Sequence, residues 1–198
     1  MSPLLSWTVI ALIAVTSAGI LLARDWRWLI VFLSLQYAGV FLLTLQHWTL
    51  GAAAVKVIAG WMSAVILGMT RSNMSEEDEG AGALPQGRLF RLIAAGFVGL
   101  IAATGVPFVD SMMADAGVTV SAGGLLLIGM GLLHLGVTDQ PMRVSIGLMT
   151  VLSGFEVIHA AVESSVLLAA LLAIVNLGLA LAGSYLMIAS NAQETEMP

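Results

Sequence analysis

The chain has 198 residues, 59% of them apolar and only 10% charged, with a formal charge of −5. A soluble domain runs near 45–50% apolar and about 25% charged, so seven cations and twelve acids cannot coat a water-facing surface. The mean hydropathy of +1.00 agrees, and the chain reads as an all-α integral membrane protein. Zero cysteines exclude disulfides, iron–sulfur clusters, thiolate zinc sites and c-type haem attachment. The acidic charge gathers in one loop and the tail, which implies no nucleic-acid partner.

A membrane span needs roughly 20 apolar residues. Seven such runs lie at about 4–23, 27–46, 50–70, 89–108, 119–138, 143–161 and 165–189. The first cation is Arg24, after a run already long enough to span, so the first segment reads as a retained helix and not a cleavable signal. Residues 71–88 hold Glu76-Glu77-Asp78-Glu79 and a Gly/Pro-rich end, a linker composition. Pro141 separates spans five and six, because proline discourages one continuous helix. Residues 190–198 form a polar tail.

Orientation follows from the arginines. Arg24, Arg27, Arg71, Arg88, Arg91 and Arg143 fall at alternate connections, and cations prefer the cytoplasmic side. The N-terminus is therefore expected outside and the C-terminus in the cytoplasm. Residues 1–70 and 119–189 read as two three-helix units in parallel. The acidic cytoplasmic loop 71–88 and the spacer helix with its outer loop, 89–118, join them.

Polar groups inside hydrocarbon are costly and mark function by default. Here they are Lys56 in span three, His134 in span five, Glu156 and His159 in span six, and a midplane pair, Gln36 and Asn176. At about 1.5 Å per residue, Lys56 lies about 9 Å and Glu156 about 8 Å below the outer edge. Sharing a level, they are candidates for an ion pair, which would lower the cost of both. A structural pair, a lysine extending to the interface and a proton relay are all compatible with that spacing.

Ser153, Glu156, His159 or Ala160, and Glu163 recur three or four apart on one helical face. A carboxylate and an imidazole one turn apart can pass a proton, and equally His159 can just hydrogen-bond Glu156. His134, near the inner end, suits capping or packing better than ligation. A b-type haem bridging His47 and His159 is a minor alternative. Retinal would need a lysine in span seven, which has none. No cofactor and no metal are expected. Gly123, Gly124, Gly129 and Gly131, and the Gly51–Ala54 stretch, suit close helix contact, and the five tryptophans suit interface anchoring.

The stretch Arg143-Val144-Ser145-Ile146-Gly147-Leu148-Met149, followed by Asn176-Leu177-Gly178-Leu179-Ala180-Leu181, resembles the K-type membrane subunit of proton-pumping NADH:quinone oxidoreductase (complex I). That family has three spans, an I-G-L-E motif in the second and another glutamate in the third. Lys56-Val57-Ile58 and the extra N-terminal spans resemble its seven-span relative, component E of hydrogenase-4 and related energy-converting hydrogenases. The resemblance rests mostly on topology, with motif detail over about a third of the chain. Met149 stands where the motif glutamate belongs, and Ile174 or its neighbourhood where the third-span glutamate would be. Glu156, two turns beyond Met149, is placed to take over the role at a shifted depth.

The resemblance implies a non-redox subunit of a proton-translocating oxidoreductase complex in a bacterial or archaeal plasma membrane. It would have antiporter-like and quinone-module neighbours, and redox chemistry would reside in partner chains. The path candidates are Glu156, Lys56, His159, Glu163 and His134. A stand-alone transporter or channel, or a purely structural assembly subunit, are the competing readings.

Overall fold

A computed structural model of the chain describes residues 3–74, 87–113, 117–163 and 165–196. Its regular structure is helical throughout: α1 (Pro3–Leu22), α2 (Trp26–Thr44), α3 (Leu50–Ser72), α4 (Arg88–Met112), α5 (Val118–Val137), α6 (Pro141–Val162) and α7 (Val166–Glu196). All seven are long and apolar enough to cross a membrane, as the apolar runs predict. The acidic run Glu76-Glu77-Asp78-Glu79 lies outside the described residues.

Three of the boundaries that differ from the sequence reading do so for a local reason. Pro141 opens α6 as its first residue, where a missing N–H costs nothing. α4 continues past 108 to Met112 through Pro107, a proline that membrane helices tolerate where neighbouring groups satisfy the freed backbone. α7 does not stop at 189 but runs to Glu196. No glycine or proline interrupts residues 184–197, and the alanine, glutamine and glutamates there favour helix.

α2 and α6 take the middle of the bundle. α2 packs on α1, α3, α5 and α6, and α6 on α2, α5 and α7. The counterpart helices of the two three-helix stretches also meet, as α1 with α5, α2 with α6 and α3 with α7. α4 sits at the edge, burying Ala102 and Val106 while Phe90, Ile93, Phe97 and Phe108 face outward. Lipid tails are as apolar as leucine, so such a face needs no protein cover. Glycines seat α5 on α6. A Cβ on Gly124 would stand 3.1 Å from the Gly154 carbonyl oxygen, and one on Gly131 3.0 Å from that of Gly147. Gly51 has open space around it, so at the start of α3 the close packing falls to Ala52 and Ala53.

The arginines do more than mark one end. The last carbonyls of a helix lack intrahelical partners and carry partial negative charge. Arg91 Nη1 donates to the Leu21 carbonyl at 3.2 Å. Arg143 Nη2 donates to those of Ala23 and Arg24 at 2.9 and 3.1 Å. Two helix N-termini, of α4 and α6, are thereby tied to the C-terminus of α1, gathering these ends on one face. At the other face Trp48 Nε1 donates to the Glu163 carbonyl at 3.1 Å. Trp61 departs from the interface pattern. It lies midway along α3 and donates to the Ser34 carbonyl at 3.1 Å.

Candidate functional site

Lys56 is six residues into α3 from Leu50, and Glu156 six from the end of α6 at Val162. Both therefore sit about 9 Å from the face opposite the arginines. They meet as an ion pair, with 2% of the lysine side chain and none of the glutamate exposed. The lysine thus does not extend to the interface. Taking two charges out of water costs several kcal/mol per ion, which their attraction repays only in good geometry.

The pair does not stand alone. Tyr37 on α2 lies with its ring 5.6 Å from the Lys56 ammonium, within reach of a cation–π attraction. Its hydroxyl donates to Asn176 Oδ1 on α7 at 2.8 Å, with Ser153 on α6, one turn before Glu156, beside it. Ser63 Oγ on α3 donates to the Asn176 carbonyl at 3.4 Å. Gly60 makes room for the tyrosine, because a Cβ there would overlap the ring.

A second polar group gathers around Gln36, whose Nε2 donates to Ser17 Oγ on α1 at 2.8 Å. Thr150 Oγ1 on α6 donates to Gln36 Oε1 at 3.3 Å and to its own helix at Ile146. Counting from the face opposite the arginines, Lys56, Asn176 and Ser17 lie at about 9, 15 and 21 Å. Buried polar groups from α1, α2, α3, α6 and α7 thus lie within about 12 Å of depth, some two-fifths of a ~30 Å bilayer core. Such groups survive in an apolar interior when they satisfy one another.

The remaining sequence candidates fall to either side of this line. Ser153, Glu156 and Ala160 form the buried stripe of α6, while His159 sits on its flank. The His159 ring lies 5.7 Å from Phe155, and its Nε2 is 3.9 Å from Glu163 Oε2. Glu163 is 61% exposed, so it stands at the rim. The expected partnership of His159 with Glu156 is replaced by this looser one with Glu163. His134 is buried in the last turn of α5, with Arg143 and Arg91 as its charged neighbours. It approaches the Arg143 backbone, yet neither ring nitrogen reaches hydrogen-bond geometry. Gln36 and Asn176 are both buried, in two separate hydrogen-bonded groups and not as a pair. Met149 packs in an apolar cluster and Ile174 is 65% exposed, whereas Asn176, two residues on, is fully buried.

Sequence reasoning missed Tyr37, Thr150, Ser63 and Ser17. A tyrosine beside Gln36, well inside a span and away from the interfaces where tyrosine anchors, was the available signal. Chemically, the site holds a carboxylate and an amine, groups able to exchange protons, hydroxyls that can both donate and accept, and amides that can do the same. Among the described residues no group of three or more His, Cys, Asp or Glu side chains suits a metal ion. No known family, characterised protein or solved structure matches the chain.

Proposed function

We propose that the chain is a non-redox membrane subunit of a proton-translocating oxidoreductase complex, of the complex I or energy-converting hydrogenase kind. The Lys56–Glu156 pair is its proton-holding element. The observation that carries this reading is a wholly buried ion pair continued by hydroxyl and amide groups toward the other face. Two apolar side chains of similar volume would hold α3 on α6 as well or better, so the charges are kept for use. Redox chemistry belongs to partner chains of antiporter-like and quinone-module type. Glu163 and His159 form the outer rim of the path, and His134 lies near its inner end. Glu156 stands in for the carboxylate that Met149 does not provide. In the pumping complex, Glu156→Gln should lower proton translocation about tenfold or more, as loss of an acid–base group does, with the complex still assembled. Unchanged pumping would remove the mechanism.

A purely structural role is the competing reading, favoured by the apolar Met149 and the outward Ile174. It predicts wild-type pumping in the same experiment.

In this reading the chain is a multi-pass plasma-membrane protein of a bacterial or archaeal cell. α1–α3 and α5–α7 are two parallel units, with the arginine face in the cytoplasm. The positive-inside rule supports that sidedness. The chain has no cysteine, so single cysteines report it cleanly. Asp139→Cys should react with a membrane-impermeant maleimide in inside-out vesicles, and Glu163→Cys in right-side-out ones. The opposite pattern inverts the topology.

A further inference from the structure

This inference rests on the path reading above and concerns what keeps the path shut. Beside the ion pair, the Tyr37 ring lies 5.6 Å from the Lys56 ammonium, and the Tyr37 hydroxyl donates to Asn176 Oδ1. The bonded chain from the tyrosine ends there. A carboxamide oxygen accepts a hydrogen bond but holds no proton to hand on. Asn176 Nδ2 is buried and has no hydrogen-bond acceptor among the described residues. The next polar group, Gln36 with Ser17 and Thr150, lies beyond that break. Gln36 adjoins Tyr37 in sequence but faces different partners.

We infer that Tyr37 is a positioning residue that holds the path closed. Its ring, seated over Gly60, lies against Lys56. Its one hydroxyl proton is committed to Asn176. While that bond stands, the ion pair and the Gln36 group are two separate segments. When it opens, the Asn176 amide, already carrying an unmet donor, takes up water that joins them. A proton arriving from the rim first neutralises the Glu156 carboxylate; Glu156 then passes that proton to the water and returns to the carboxylate held by Lys56. The structure supplies both parts of such a latch, a single bond between two helices and an unfilled hydrogen-bonding site beside it.

The test uses the full chain in phospholipid vesicles that contain a pH-sensitive dye, with a potassium diffusion potential imposed. Tyr37→Phe keeps the ring over Gly60 and against Lys56 and removes the hydroxyl alone. Proton flux should rise about tenfold, the population shift expected from losing one buried hydrogen bond. Asn176→Leu breaks the same bond from α7 and should raise flux likewise, so it carries the test if Tyr37→Phe does not fold. Adding Glu156→Gln to either should return flux to the wild-type level. Unchanged or lowered flux in both variants overturns the latch, as does a leak that survives Glu156→Gln. A structural role alone would lower the unfolding temperature and leave flux untouched. The path reading fails differently, by unchanged pumping of the assembled complex carrying Glu156→Gln.

Discussion

Glu156→Leu should cost about 3–5 kcal/mol of stability, because it strands the Lys56 ammonium, whose side chain is only 2% exposed, without its partner. Lys56→Met should cost a similar amount by stranding the carboxylate. The two losses should not add. Lys56→Met combined with Glu156→Leu removes both charges and fills their volume, and replacing a buried pair in this way is neutral or stabilising by about 1–4 kcal/mol. Unfolding of the four proteins in a mixed-micelle titration, read by circular dichroism, gives the coupling energy as the departure from additivity. The double variant also separates fold from function. It should fold at least as well as wild type and fail to translocate protons. A double variant that pumps normally would reduce the pair to packing. Near-additive losses would show that the ammonium and carboxylate are each satisfied by other groups.

How far this site was legible in the sequence depends on which dimension is asked about. Depth was legible. The rise per residue is fixed, and Lys56 and Glu156 lie six residues from helix ends on the same side, so their shared level follows from counting. Rotation was only half legible. With about 100° per residue, positions three and four beyond Glu156 fall on opposite flanks of its direction. Sequence alone could not choose between His159 and Ala160. Packing against Trp48, Ala52, Ala53 and Ala169 chose the small residue and turned the imidazole toward Glu163. The partner of Tyr37 was illegible for another reason. An aromatic side chain in a span reads as apolar filler until a glycine on a facing helix, here Gly60, brings its hydroxyl to a partner. That partnership joins residues 139 apart in sequence. The arginine positions were counted correctly, but their bonds to the carbonyls of α1 required knowing that α1, α4 and α6 end together.

Gly154→Leu should be strongly damaging although it touches no charge. A Cβ at Gly154 would stand 2.7 Å from the Gly124 carbonyl oxygen and 2.8 Å from the Ile128 nitrogen. Both are backbone atoms and cannot rotate away, so α5 and α6 must separate. Overpacking a tight contact typically costs about 1–3 kcal/mol. Gly154→Ala should already fall in that range, and the leucine variant at or above its top. Gly178, on α7, supplies the control. A Cβ there meets nothing within 4 Å, so Gly178→Ala should instead gain about 0.5–1 kcal/mol, the helix-propensity difference between the two residues. Opposite signs at the two sites would attribute the loss at Gly154 to backbone approach, and a neutral Gly154→Ala would refute it. The consequence reaches the polar line, because Gly154 lies between Ser153 and Phe155, two residues before Glu156. A shift of α6 away from α5 moves the carboxylate relative to Lys56 on α3 and Tyr37 on α2. Gly154→Ala should therefore weaken proton translocation as well as stability, whereas Gly178→Ala should leave it intact. The glycine contact fixes where the acid sits, although it carries no chemistry of its own.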